Sequence, residues 1–206
     1  MALDSERRKW YAPPMTTTVH GHDKKVWDEA TLTALPEDGY IHEVVNGELV
    51  MSPKNTFEHG QICARLLTAL LSHVTENKLG VVLDSSTGFW MKNENCRAPD
   101  ISFISRDRLR GLTQPPRAFF RGAPDLAVEI LPRSNSPSEV NDRLKDYFES
   151  GARLAWVVHP VERFAEICHS PTDRSLAGSE GNLEGGDVVQ GFSYLIAKLF
   201  EPWDWE

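Results

Sequence analysis

Two short apolar stretches constrain the fold of this chain more than anything else in it: residues 97–104 (RAPDISFI) and 124–131 (PDLAVEIL). Both are rich in Ile, Val, Leu and Phe, are of strand length, and are introduced by a proline, which cannot donate to a central ladder. Side chains alternate across a strand. Ile101 and Phe103 therefore share one face of the first strand, with Asp100 and Ser102 on the other. Leu126, Val128 and Ile130 share one face of the second, with Ala127, Glu129 and Leu131 on the other. Each strand carries one carboxylate on the face opposite its most apolar row. Glu129 has aliphatic neighbours on both sides, and a carboxylate in such a run is costly unless something pairs with it.

If the two strands are neighbours, Asp100 and Glu129 meet. Two like charges ~4 Å apart repel by roughly 4 kcal/mol at an effective dielectric of about 20. Either one acid stays protonated or a cation lies between them. A hard divalent ion, Mg²⁺ first, suits two carboxylates, waters and a substrate phosphate. The same residues also fit a plainer reading, in which Asp100 starts a strand and Glu129 is an edge residue with its head in water.

The rest of the chain arranges itself around these strands. Residues 1–24 mix charges, prolines and His20-Gly21-His22-Asp23 without apolar periodicity, and read as a tail or arm; residues 25–206 read as one domain. Residues 27–35 suggest a short helix opened by acids and ended by Pro36. Residues 41–51 form a hairpin signal around Asn46-Gly47, with Glu43 on the incoming strand as a cross-strand or solvent partner. Thr56 is a candidate cap for an amphipathic helix carrying Ile62, Cys63, Leu66, Leu67, Leu70, Leu71 and Val74, which ends near Gly80. His59 falls on its buried face, where a packed, hydrogen-bonded histidine is the default. Residues 80–91 read as strand, turn and strand. Residues 106–122 hold Arg106, Arg108, Arg110, Arg117 and Arg121 beside Phe119-Phe120, either a loop that tracks a phosphate backbone or a solvated connector. Ser138 is the expected cap of a helix over 139–150, ended by Gly151. Residues 154–159 and 163–169 read as strands, 170–186 as an exposed loop, and 194–200 as a short helix. Trp203 and Trp205 are exposed unless they dock on the body or on a second subunit.

Composition narrows the class. The 206 residues are 40% hydrophobic and 25% charged, ordinary for a globular protein. No apolar run approaches the ~18 residues of a membrane span, and the first residues lack the apolar core of a secretory signal. Cys63, Cys96 and Cys168 are odd in number and far apart, as expected of reduced thiols in a cytoplasmic protein. The net charge of −8 argues against strong metal-free binding to nucleic acid. No repeat, phosphate-binding glycine loop, nucleophile elbow or zinc-finger spacing is present.

In order, the chain runs through EVVNGELVM, PKNTFEHGQICARLLTALL, GFWM, RAPDISFI, PDLAVEIL, YFESGARLAWVVHP and GGDVVQGFSYLIAKLF. This ordered set, over roughly residues 25–200, resembles the Uma-type restriction endonuclease family, a branch of the PD-(D/E)XK nuclease superfamily. The resemblance implies an α/β single domain with a restriction-endonuclease-like mixed β-sheet flanked by helices. It implies a Mg²⁺-dependent endonuclease, with Mn²⁺ as substitute, acting on DNA. By the same resemblance Asp100 and Glu129 are metal ligands with the Ile130 carbonyl as a third, Glu43 is an outer ligand or water-holder, and His59 stands behind the metal or on a phosphate.

The superfamily pattern asks for a lysine two residues after the second acid, where this chain has Leu131. Members of this branch often place the lysine on the next helix, four residues before a tyrosine; counting back from Tyr147 gives Arg143. Arginine keeps the charge and can clamp a phosphate, but transfers protons poorly at neutral pH. Lys145, the other candidate for a phosphate contact, faces elsewhere on a regular helix. This departure opens a second reading, a catalytically inactive nuclease-fold binding or regulatory module. A third is an unrelated metal-dependent phosphoesterase for small substrates. Two cuts on a duplex suit a homodimer.

Overall fold

The computed structural model describes residues 17–19, 26–53, 55–132 and 136–203. His20-Gly21-His22-Asp23, read as part of the tail or arm, and Trp205 lie outside them. In chain order the elements are β1 (Thr17–Val19), α1 (Glu29–Thr33), β2 (Ile41–Val45), β3 (Glu48–Ser52), α2 (Phe57–Glu76), β4 (Gly80–Asp84), β5 (Phe89–Trp90), β6 (Cys96–Arg97), β7 (Ile101–Ser105), β8 (Phe120–Arg121), β9 (Leu126–Ile130), α3 (Pro137–Glu149), β10 (Leu154–His159), β11 (Phe164–Cys168), β12 (Arg174–Ala177), β13 (Asn182–Glu184) and β14 (Ser193–Leu195), followed by a 3-10 turn over Ile196–Leu199.

The local chemistry explains most of these elements. Asp28 caps α1 by accepting the Thr31 N–H at 2.8 Å, and the Thr31 hydroxyl accepts the Asp28 N–H at 2.9 Å. Asn46 and Gly47 both have positive φ (53° and 79°), as a two-residue turn between twisted strands requires, so β2 and β3 pair tightly. Ile62, Leu66, Leu70 and Val74 form the buried stripe of α2; Leu71, expected in that stripe, faces solvent. The α3 helix starts two residues earlier than expected. Its cap is Ser136, not Ser138, because Pro137 suits the first helical position and Glu139 closes a reciprocal box with Ser136. Ser136→Ala should lower stability by about 1 kcal/mol, read as a lower urea midpoint at unchanged slope; an unmoved midpoint would show that the cap contributes nothing.

Among the described residues the strands form two six-stranded sheets and a small ribbon. One sheet runs β12-β11-β10-β9-β7-β4, the other β1-β3-β2-β6-β5-β8, and β13 pairs with β14. The chain crosses between the large sheets at Pro99, which has no N–H to extend a ladder. In the first sheet β7 and β9 are antiparallel neighbours, and β9 and β10 are parallel, joined by a crossover through α3. The expected alternation holds. Ile101, Phe103, Leu126, Val128 and Ile130 enter one core with the α2 stripe and Trp156. Ala127 and Tyr147 enter a second core on the opposite face, and Leu131 packs with Val140 and Leu144.

Within the segment read as a tail or arm, the backbone of β1 pairs with β3. Two further expectations are corrected. The segment read as a loop over 170–186 contains β12 and β13, each too short for alternation to register. The helix expected over 194–200 is β14 plus the 3-10 turn. Trp203 docks edge-on against Phe57, with ring centroids 5.6 Å apart. Cys63, Cys96 and Cys168 are free thiols, and burial pushes Cys96 and Cys168 up to about 12. Among the described residues no helix is long and apolar enough to cross a membrane.

Candidate active site

The β7–β9 register pairs Ile101 with Val128, and one step further it sets Asp100 opposite Glu129. Opposed residues of adjacent strands project to the same face. Both are buried, each with 8% of its surface exposed. Asp100 is pinned by the neighbouring strand: its Oδ2 accepts the Ile130 N–H at 2.8 Å and lies 3.1 Å from His59 Nε2. His59 reaches it from the first turn of α2.

Glu129 is held from α3. Tyr147 donates its hydroxyl proton to Glu129 Oε1, and Arg143 Nη1 lies 3.4 Å from the same oxygen. Residues four apart share a helix face, so one face of α3 delivers both groups. Arg143 also makes a two-pronged pair with Glu43 of β2, Nη1 to Oε1 at 2.8 Å and Nη2 to Oε2 at 2.6 Å. Glu43 is 1% exposed and additionally accepts the Ala98 N–H at 2.9 Å. Glu43, expected as an outer ligand or water-holder, is therefore engaged in a two-pronged ion pair with Arg143.

These contacts set the electrostatics. Burial, chiefly, raises the Glu129 carboxyl to about 7; Asp100 and Glu43 push the same way, while Arg143 and the Tyr147 hydroxyl oppose it. Burial, with Glu129 behind it, raises the Tyr147 phenol well above its usual range. Burial works against the charge of Arg143, but Glu129 and Glu43 outweigh it and hold the guanidinium protonated.

Sequence reasoning missed a second polar cluster beside the first. Arg97 Nε donates to Asp146 Oδ2 at 2.7 Å, Asn95 Nδ2 to the same oxygen at 2.9 Å, and Asn93 Nδ2 to Oδ1 at 2.6 Å. Asn95 Oδ1 accepts the Asn46 N–H of the hairpin turn at 2.7 Å, so the cluster ties β2, β6 and α3 together. Arg97 Nη1 lies 3.8 Å from Glu43, linking the two clusters. Nothing local in the sequence marks these pairings.

Other candidates fall elsewhere. Lys145 is exposed and pairs with Glu149 at 3.9 Å, so it does not join the site. The arginine-rich segment leaves β7 at Ser105, the end remote from Asp100, and Arg108 binds the Ala123 carbonyl at 2.6 Å, as a connector does.

The oxygen donors fit a hard cation in kind. The Ile130 N–H faces Asp100, and its carbonyl leaves the strand on the same edge. Two carboxylates on one face of adjacent strands match the preference of Mg²⁺ for oxygen. Among the described residues, no group of three or more His, Cys, Asp and Glu side chains comes together as a metal-holding cluster.

A family model, Uma2, described as "Putative restriction endonuclease", matches residues 29–197. The chain belongs to this family. A solved structure titled as a "putative nuclease belonging to DUF820", from Anabaena variabilis, is similar at a TM-score of 0.73 and 19% identity, covering 82% of this chain and 94% of that one. That likeness establishes a nuclease-like α/β fold. No curated protein matches the chain.

Proposed function

We propose that this chain is a Mg²⁺-dependent endonuclease that hydrolyses DNA phosphodiester bonds, with Mn²⁺ able to substitute. The observation that carries this reading is the opposition of Asp100 and Glu129 across β7 and β9, with Glu129 raised to about 7 chiefly by burial and further by the Asp100 charge. Asp100, Glu129 and the Ile130 carbonyl would hold the ion. When bound, it supplies a polarised phosphate and a water of lowered pKa. The protein's own groups do the rest. His59 and the Ile130 N–H fix Asp100, and Tyr147 orients Glu129. Arg143 steadies the charge that develops on the phosphate, as a fixed cation and not as a proton carrier.

A second reading draws on one observation. Arg143 already neutralises Glu43 and partly Glu129. A site so compensated suits a nuclease fold that binds without cutting. Melting curves with and without Mn²⁺, together with plasmid cleavage, separate the two. The endonuclease reading expects Mn²⁺ to raise the melting temperature of wild type but not of Asp100→Asn, and expects cleavage that Glu129→Ala abolishes. Metal binding with no cut in any DNA would favour the binding module. No metal-dependent shift would sink the proposed centre.

A further inference from the structure

Beside α3 a cleft of about 420 Å³ opens at the C-terminal ends of β9 and β10, a size suited to a small ligand. The two strands are parallel, and ligands collect outside the carboxyl ends of parallel strands. Leu131 and Val161 supply apolar wall; Asn141, His159, Glu166 and Arg174 supply polar groups. Leu131 lies two residues past Glu129, ~7 Å along an extended chain. The cleft is therefore within a nucleotide or two of the proposed cut.

Its chemistry is not that of an anion site. The Arg174 guanidinium is spent on Glu166 at 3.2 Å, on the Pro171 carbonyl at 2.8 Å and on Asn141 Oδ1. His159 Nε2 lies 2.8 Å from Glu166 Oε1. Among the described residues, the cleft groups without a hydrogen-bond partner include the Asn141 amide nitrogen, the second ring nitrogen of His159 and the carboxylate of the exposed Glu162. Phe164, which does not line the cleft, stacks flat on the His159 imidazole at 4.1 Å and 12°, and the imidazole itself lines the cleft. The His159 ring, an apolar wall and the Asn141 amide match a flat heteroaromatic ring with a hydrogen-bonding edge, and the Glu162 carboxylate disfavours an anion.

We propose that this cleft takes one unpaired nucleobase of a nucleic-acid strand engaged at the Asp100–Glu129 centre. The proposal deepens the endonuclease reading and rests on it for its ligand class. It places a cost of unstacking on the substrate, so a base that is already unpaired is favoured.

Saturation-transfer NMR of the full chain with adenosine, guanosine, cytidine and thymidine tests it without any cut being made. Wild type should transfer signal to the base protons of at least one nucleoside. Val161→Trp fills the cleft from a half-exposed position and should abolish the transfer while the melting temperature stays unchanged. Asn141→Leu, which removes a polar edge without adding bulk, should weaken it about tenfold. No transfer to any nucleoside, or equal transfer in wild type and both variants, would overturn the proposal. Cleavage assays bear on the endonuclease reading alone, so the two can fail separately.

Discussion

Arg143→Met should be the most damaging single change near the site, lowering stability by about 3–5 kcal/mol at pH 8. Its guanidinium sits against two buried carboxylates, Glu43 at 2.6 Å and Glu129 at 3.4 Å. Methionine fills much of the same volume but leaves both acids without their counter-charge. The loss comes from stranding buried charge, not from a cavity. Two features of the measurement separate these causes. The deficit in urea unfolding should shrink at about pH 5, where protons can neutralise the stranded acids. It should also be less than additive with Glu43→Gln, because the second change removes part of what the first exposes. A deficit that is the same at both pH values would point to lost packing and against this account.

The second large effect is a pH dependence with a defined sign. Glu129 holds its proton up to about pH 7 in the folded chain, against an ordinary value of 4.5. The folded state therefore binds more protons than the unfolded state between these values, and stability falls as pH rises through them. The contribution is fully present below about pH 4.5 and lost by about pH 7, on the order of 3 kcal/mol. Glu129→Gln has no proton to lose. Relative to wild type, this variant should gain stability steadily between about pH 5 and pH 8, measured as the difference in urea unfolding free energy. A flat difference would show that Glu129 titrates normally. Saturating Mg²⁺ should oppose the decline in wild type, because a cation stabilises the deprotonated carboxylate.

The parts of the site that lie in regular, alternating segments were readable in advance. Asp100 and Glu129 follow from a period of two on strands long enough to show it, and both strands are flanked by prolines that mark their starts. The Asn46-Gly47 turn and the Thr56 cap follow from backbone chemistry confined to a few residues. The positions of Arg143 and Tyr147 follow from helical spacing. What they touch does not: Arg143 meets Glu43 across 100 residues of sequence, and Arg97 meets Asp146 across 49. Such pairs leave no local period, since only tertiary packing selects the partner. The division into two sheets was hidden for a related reason. β5, β6 and β8 are two residues each, and no alternation can be seen in two residues.

Chain order adds a temporal dimension to the ion pairs of α3. Glu43, Asp100 and Glu129 are all made before Arg143. A nascent polypeptide halted short of that arginine has Arg97 near Glu43 but lacks the guanidinium that joins Glu43 to Glu129, and closing so long a loop is itself slow. Translation of α3 is thus the step that permits Glu129 to be interred with a counter-charge, and a ribosome-bound fragment ending earlier should hold that carboxylate in water and ionised.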